Sequence, residues 1–279
     1  MNGLRPGLRP ASRRIPTINS AQVFNGPKTA KLRGLGWKRD KVDRRDWHYL
    51  PSIETKDLPG RVDLRDRCPP VYDQLGLNSC SANAVAAAME FDLIRQKRQR
   101  VIFPSRLFLY YNTRAIEHTT RSNVGTSIRD AIKAVASMGD CPESLWPYTE
   151  KNVANRPPEK CYKSALKYKA VKYRRVHRSL NDMKACLASG YPFVLGFSAH
   201  RRFNDEVRIS GTLEMPAKGE LLLGSHAVLA VGYNERTQRF LIRNSWGRKF
   251  GLRGYFTMPY GYLEKEHLSA DFWTVNVVR

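Results

Sequence analysis

The chain has 279 residues, 42% of them hydrophobic, which is enough for one large domain or two lobes with a sizeable core. Its 48 Lys and Arg against 25 Asp and Glu leave a formal net charge of +23, which favours solubility and anionic partners but says nothing about fold. No stretch is long and apolar enough to span a membrane, the first twenty residues lack the apolar run of a secretory signal, and the five cysteines (68, 80, 141, 161 and 186) show none of the short paired spacings of a zinc site. The expectation is a protein with no membrane partner, no metal and no cofactor.

Residues 1–39 hold nine Lys and Arg and no acid, and residues 1–36 are rich in Pro, Gly, Arg and Ser/Thr. That is the composition of a loosely held basic arm. Trp37, Trp47 and Tyr49 then bring aromatic surface that calls for burial, so 37–50 is expected to pack on the folded body. Leu58-Pro59-Gly60 reads as a boundary and Val62-Asp63-Leu64-Arg65 as the start of the folded part. The expected organisation is a basic extension over 1–60 followed by one domain over 61–279.

Gln74-Leu75-Gly76-Leu77-Asn78-Ser79-Cys80-Ser81 closes a loop and runs into an alanine-rich stretch. Alanine is the strongest helix former, which predicts a helix from Cys80 to about residue 99. Ala82, Val85, Ala86, Met89 and Leu93 make one apolar stripe, and Ala84, Ala87, Ala88 and Phe91 a second, so the helix should be buried on most sides. Cys80 falls in its first turn, where unpaired N–H groups and the helix dipole favour a thiolate, the nucleophilic form of cysteine. A cysteine there is otherwise a small buried apolar side chain, and the rest of the chain has to decide. Further helices are expected over 104–114, over 126–138 closed by Gly139, and over 179–189 opened by the capping box Ser179-x-x-Asp182. After Gly190 the pattern turns to strands, at 193–197, 227–233, 239–243, 254–258 and 272–278. Helices first and strands second predict an α+β chain of two lobes, helical over about 66–175 and strand-rich over about 176–279.

A cysteine nucleophile needs a base, a group that orients the base, and donors for an oxyanion. His226 heads the apolar strand Ala227-Val228-Leu229-Ala230-Val231, and Asn244 ends the neighbouring one, eighteen residues on. An Asn oxygen can hold one imidazole nitrogen and leave the other for a thiol. Gln74, six residues before Cys80, can join the Cys80 backbone N–H as an oxyanion donor.

Gln74 with Ser79-Cys80, then Ser225-His226-Ala227-Val228, then Asn244-Ser245-Trp246-Gly247 with Gly251-x-x-Gly254-Tyr255-Phe256, resembles the papain family of cysteine peptidases. The family places its His and Asn about 130–150 residues after the Cys. Here the separations are 146 and 164, which fits a longer loop within 206–224. Leu58-Pro59-x-x-Val62-Asp63 is similar to the family's mature N-terminus, and Cys141-Pro142-Glu143-Ser144-Leu145-Trp146-Pro147-Tyr148 to its Glu-Ser-x-Tyr-Pro-Tyr stretch. The resemblance implies a papain-like fold with Cys80, His226, Asn244 and Gln74 as catalytic residues in a cleft between lobes. It also implies that Trp246 shields the His–Asn bond, and that Gly125, Thr126 and Ala227 line the substrate path. Two departures stand out. Leu77 replaces a disulfide cysteine of secreted relatives, and the Gly-Cys-Asn-Gly-Gly loop is absent, with Val124-Gly125-Thr126-Ser127 near its place. These variants are more similar to bacterial and large-DNA-virus members than to animal cathepsins, which suggests a cytoplasmic or virion-associated setting if the source is viral.

The resemblance implies a cysteine-type endopeptidase acting on proteins or peptides, and for the extension either a latency role across the cleft or that of a brace on the back of the fold. A transpeptidase would use the same acyl-enzyme. The alternative is a basic polyanion-binding or virion-associated structural protein on a peptidase fold, although a dead descendant need not keep all four residues. The charge predicts sequence-indifferent binding to nucleic acid, because no base-reading motif is present. With about six phosphates neutralised, affinity for a DNA duplex should fall roughly a thousandfold between ~50 and ~200 mM salt. A flat salt response in a titration would leave the charge as a solubility device.

Overall fold

The computed structural model describes residues 34–97, 101–169 and 171–277. The expectation of a loose arm over residues 1–33 lies outside them. In chain order the elements are β1 (Trp37–Lys38), β2 (Arg61–Asp63), α1 (Cys80–Arg95), α2 (Arg106–Ile116), β3 (Thr126–Ser127), α3 (Ile128–Met138), α4 (Glu159–Ala165) and β4 (Val171–Arg175). They continue with α5 (Leu180–Ala188), β5 (Phe193–His200), α6 (Arg208–Ser210), β6 (Leu222–Asn234), β7 (Arg239–Arg243), β8 (Tyr255–Pro259), α7 (Tyr260–Glu264) and β9 (Ser269–Val277).

The architecture is α+β. The element α1 buries every residue from Cys80 to Leu93, including Glu90 and Asp92. Its alanines let neighbours approach closely on all sides, with α2 and α3 on one flank and β5, β6 and β9 on the other. The end of α1 comes at Arg95, earlier than expected, because Lys97 takes a φ of 50° that a helix cannot continue. Ser105, Ser127 and Ser179 cap α2, α3 and α5, each side-chain oxygen accepting from a backbone N–H in the first turn. The elements α4 and β4 carry no clear sequence signal; β4 joins the sheet edge from residues assigned above to the helical lobe.

All strands except β1 and β3 form one antiparallel sheet in the order β4-β9-β5-β6-β7-β8, with β2 added beside β6. The hub is β6, which pairs with β2, β5 and β7 and lies against α1. The two halves are also hooked together by backbone. Gln74 N–H donates to the Ser245 carbonyl at 2.8 Å, and Gly247 N–H to the Tyr72 carbonyl at 2.8 Å. The loop that leads into Cys80 is thereby tied to the chain that follows Asn244.

Residues 34–50 pack on this body, further towards the N-terminus than expected. Gly34 and Gly36, assigned to the arm by composition, are buried. Trp37 and Tyr49 are buried as expected, but Trp47 is 78% exposed, because the chain turns its ring outward between Asp46 and a bridge at His48. The anchor is ionic. Arg175 of β4 reaches Asp40 at 3.1 Å, Asp46 at 3.0 Å and Asp271 at 3.4 Å, while Arg129 pairs with Asp46. Asp40 also accepts from the Trp273 indole at 2.7 Å and the Arg129 backbone N–H at 3.0 Å. Burial first, and the Asp271 carboxylate second, raise Asp40 to about 6 against these donors.

Replacing Arg175 by Met would leave Asp40 and Asp271 without their shared cation. Breaking such a pair costs about 3 kcal/mol, somewhat less here because Arg175 is partly exposed. The Arg175→Met protein should therefore melt earlier and be cut faster by trypsin at Lys41, Arg44 and Arg45. Unchanged melting and unchanged cutting would mean that the cluster does not hold the segment.

Candidate active site

Local rules position each side chain. Cys80 is the first residue of α1, and its sulfur faces the backbone N–H groups of Ser81, Ala227 and Gly36. His226 lies on β6, opposite Phe197 of β5. Because Ala227 is its chain neighbour, the part of β6 around His226 meets the start of α1. Asn244 follows β7, held by its N–H on the Gly254 carbonyl at 2.9 Å. Its side-chain oxygen lies 2.8 Å from His226 Nε2 and also accepts from Ser245 N–H at 2.8 Å. An oxygen with these partners fixes Nε2 as the protonated nitrogen and leaves Nδ1 with a free lone pair. That Nδ1 is buried with no hydrogen-bond partner.

An aromatic box surrounds the imidazole. Trp246 is centred 5.0 Å from the ring, and Phe197 and Phe203 each 5.8 Å from it. Trp246 is 3% exposed, so the His226–Asn244 bond is kept from water. Gln74 is fully buried. Its Oε1 accepts from Ser245 Oγ at 2.6 Å, which turns Nε2 outward to donate to the Leu77 carbonyl at 2.8 Å and the Gly34 carbonyl at 3.0 Å. A side-chain donor that already holds a peptide carbonyl beside a cysteine has the geometry of an oxyanion contact.

The structure brings the sequence-selected residues Gln74, Cys80, His226, Asn244, Trp246 and Ala227 together, and adds Gly125 and Thr126 through the segment that crosses them. Thr126 N–H donates to the Gly36 carbonyl at 2.7 Å, and β1 runs parallel to β3 with Trp37 opposite Thr126. The approach is too close for side chains. A Cβ on Gly34 would lie 2.2 Å from the Leu77 carbonyl oxygen, one on Gly36 2.4 Å from that of Asn78, and one on Gly125 2.0 Å from that of Gly36. Ser225 donates its hydroxyl to the Trp37 carbonyl.

Several residues that sequence reasoning missed hold the Gln74–Ser79 loop. Tyr148 donates to the Gln74 carbonyl at 2.9 Å and shares a 2.6 Å hydrogen bond with Ser79 Oγ. Asn123 accepts from Asn78 N–H at 2.9 Å, and Glu150 from Gly76 N–H at 2.8 Å. Only Tyr148 had a signal, in the stretch ending Trp146-Pro147-Tyr148.

The segment changes the electrostatics of the pair. Cys80 and His226 are both fully buried beneath it. Burial raises the Cys80 thiol despite the three N–H groups that lower it, and burial depresses His226 to about 4 despite the bond to Asn244. The helix terminus alone predicts a thiolate. In the covered state desolvation outweighs it, and burial favours the neutral form of both the thiol and the imidazole.

A thiol at a helix start, an imidazole oriented by an amide, and a carbonyl-holding donor lie together between helices and an antiparallel sheet. Residues 58–271 match the model of the papain family cysteine proteases, and the chain belongs to that family. It is 36% identical over 272 residues, 88% of each chain, to an uncharacterised peptidase C1-like protein of Acanthamoeba polyphaga mimivirus. It superposes on xylellain, a cysteine protease from Xylella fastidiosa, with a TM-score of 0.84 and 40% identity over 90% of this chain and 100% of that one. A procathepsin B of Trypanosoma congolense shares the fold, with a TM-score of 0.67 and 18% identity over 88% of this chain and 87% of that one. The protein is thus a papain-like cysteine peptidase with a two-lobed α+β fold and protein substrates.

The depressed His226 value carries a sign. In the unfolded chain His226 titrates near 6.5, so its contribution to stability is full above that pH and is lost as pH falls through about 4. Replacing His226 by Gln removes this titration. The unfolding free energy of the wild type, from urea titration, should therefore drop relative to that of His226→Gln between pH ~6.5 and ~4, by on the order of 3 kcal/mol. A constant difference would mean that His226 sees water in the native state.

Proposed function

We propose that the protein is an endopeptidase held latent by its own residues 34–37. Cys80 attacks the scissile carbonyl, and His226 Nδ1 takes the thiol proton and returns it to the leaving amine. Asn244 keeps the imidazole in the tautomer that leaves Nδ1 free, and Trp246 keeps water from that bond. Gln74 Nε2 and the Cys80 N–H stabilise the oxyanion, and water then hydrolyses the acyl-enzyme. The observation that carries this reading is the Gly34 carbonyl on Gln74 Nε2, with the Gly36 N–H at the Cys80 sulfur. A backbone carbonyl of the segment already uses one of the two donors that a substrate would use. The basic extension over 1–60 is then a latency segment ahead of the peptidase domain over 61–279. Its exit point is the exposed stretch 51–57, because Pro59 and Gly60 are fastened to Tyr233 and Glu235. Withdrawal of the segment would return water to the pair and remove the burial that keeps it neutral.

Gly36→Val tests latency without cutting the chain, because a side chain there collides with the Asn78 backbone. The full-length variant should hydrolyse an unstructured protein such as casein at least ~10-fold faster than wild type, a loss of ~1.4 kcal/mol of closure. Its Cys80 should also be alkylated faster by iodoacetamide, and adding Cys80→Ala should abolish the hydrolysis. A variant that melts earlier but is no more active would make the segment a brace, and activity that survives Cys80→Ala would overturn the mechanism.

A further inference from the structure

Cys141 and Cys161 meet in an apolar cluster separate from the main core. Both side chains are fully buried, packed with Phe108 and Ala165 against Leu145, Trp146 and Tyr162. Their thiols lie within hydrogen-bonding reach of one another. Cys68 lies instead beside Arg243 and Tyr255, and Cys186 turns its thiol to the Tyr191 carbonyl at 3.4 Å.

The two thiols sit on pieces of chain with unequal support. Cys141 opens the stretch that ends in Tyr148, and its carbonyl accepts from the Ser105 N–H at 2.8 Å. Glu143 in the same stretch pairs with Arg106 at 2.6 Å. Cys161 lies on α4, a helix of seven residues with no side-chain cap, in which Cys161 and Ala165 are the buried residues. Its sulfur also donates to the Leu145 carbonyl at 3.7 Å. The chain between the two cysteines, 142–160, carries Tyr148 and Glu150, which hold the Gln74 carbonyl and the Gly76 N–H. A bond across its ends closes a ring around the residues that brace the Gln74–Ser79 loop.

We propose that Cys141 and Cys161 are a disulfide site, and that the bond fastens α4 to the chain ahead of Tyr148 and so stiffens the Gln74–Ser79 loop. The oxidant is a small-molecule disulfide such as oxidised glutathione. The Cys141 thiolate attacks one of its sulfurs and expels a glutathione thiolate. The Cys161 thiolate then attacks the Cys141 sulfur of the mixed disulfide and expels the second. One protein S–S bond forms and one glutathione S–S bond breaks. Two electrons pass to glutathione, and the two thiol protons end on the two glutathione thiolates. Burial raises both cysteine thiols, and the buried Asp140 carboxylate beside them adds to it. Thiolates are therefore scarce while the cluster is closed, and exchange proceeds when α4 lifts away from it. The same burial shields the finished bond from reducing thiols.

The test uses the full-length chain with Cys80→Ala, so that the reactive thiol takes no part. It is equilibrated in glutathione buffers of rising oxidised fraction, with urea below the unfolding transition to let α4 open. Free thiols are then trapped with N-ethylmaleimide and the tryptic peptides mapped without reduction. The peptides of Cys141 and Cys161 should be joined, while Cys68 and Cys186 carry the label. The oxidised protein should melt at least ~5 °C higher than the reduced one. Amide hydrogen exchange over residues 74–79 should slow in the oxidised form. Cys141→Ala and Cys161→Ala, each added singly, should melt alike in reducing and oxidising buffer. Absence of the joined peptide, a joined pair of other cysteines, or a melting rise that persists in either alanine variant overturns the site. A bridge that leaves exchange over 74–79 unchanged overturns its hold on that loop.

Discussion

The packing of α1 against β5, β6 and β9 sets where chemistry can happen in this molecule. A helix buried on every side needs small side chains, or its neighbours cannot close around it. Five alanines between residues 82 and 88 meet that need. They bring the first turn of α1 against β6, so that Cys80 sits beside the backbone of Ala227, the chain neighbour of His226. The paired backbones of residues 72–74 and 245–247 lock the same junction from the loop side. No single side chain has to hold the lobes together, because the ladder and the helix packing over-determine their relation.

The segment over 34–37 is fitted to this junction by subtraction of side chains. Glycines at 34, 36 and 125 allow backbone to lie on backbone, and glycine at 196 admits an indole. The result is a site in which Cys80 and His226 are fully buried. In water the start of a helix lowers a thiol's pKa, and a neighbouring imidazole gains by pairing with the thiolate. Under the segment the cost of desolvating two charges opposes these gains, and burial shifts both groups towards their neutral forms.

The charge balance has a similar division. The excess of cations is mostly a surface property, but the scarce carboxylates of the covering segment are used inside. Asp40 and Asp46 meet Arg129 and Arg175, and Asp40 also holds Trp273. The segment therefore has two separate attachments, one ionic against β4 and β9, and one of backbone hydrogen bonds against the reactive pair.

Local physics made much of this legible. An alanine run specifies a helix wherever it falls, so Cys80 at its start could be read directly. Asn244 at the end of a strand follows from strand length, whereas His226, expected to head its strand, is the fifth residue of β6, which begins at Leu222. Gln74 follows from its offset within the same loop. Composition failed for Gly34 and Gly36, because glycine reads as a loose arm in isolation and as a fitted contact only when a partner surface exists. Trp47 failed in the opposite sense, since aromatic content predicts burial but not which of two nearby rings the backbone turns inward. Asp271, Arg175 and Asn123 carried no local signal at all. The contacts that tie them to Trp37, Asp40 and Asn78 span 45 to 234 residues of the chain. The sequence by itself determined the elements and the residue types at their ends, since these depend on neighbours a few positions apart. Only the tertiary structure decided which strand edges and loops coincide, because that depends on how distant surfaces close around α1.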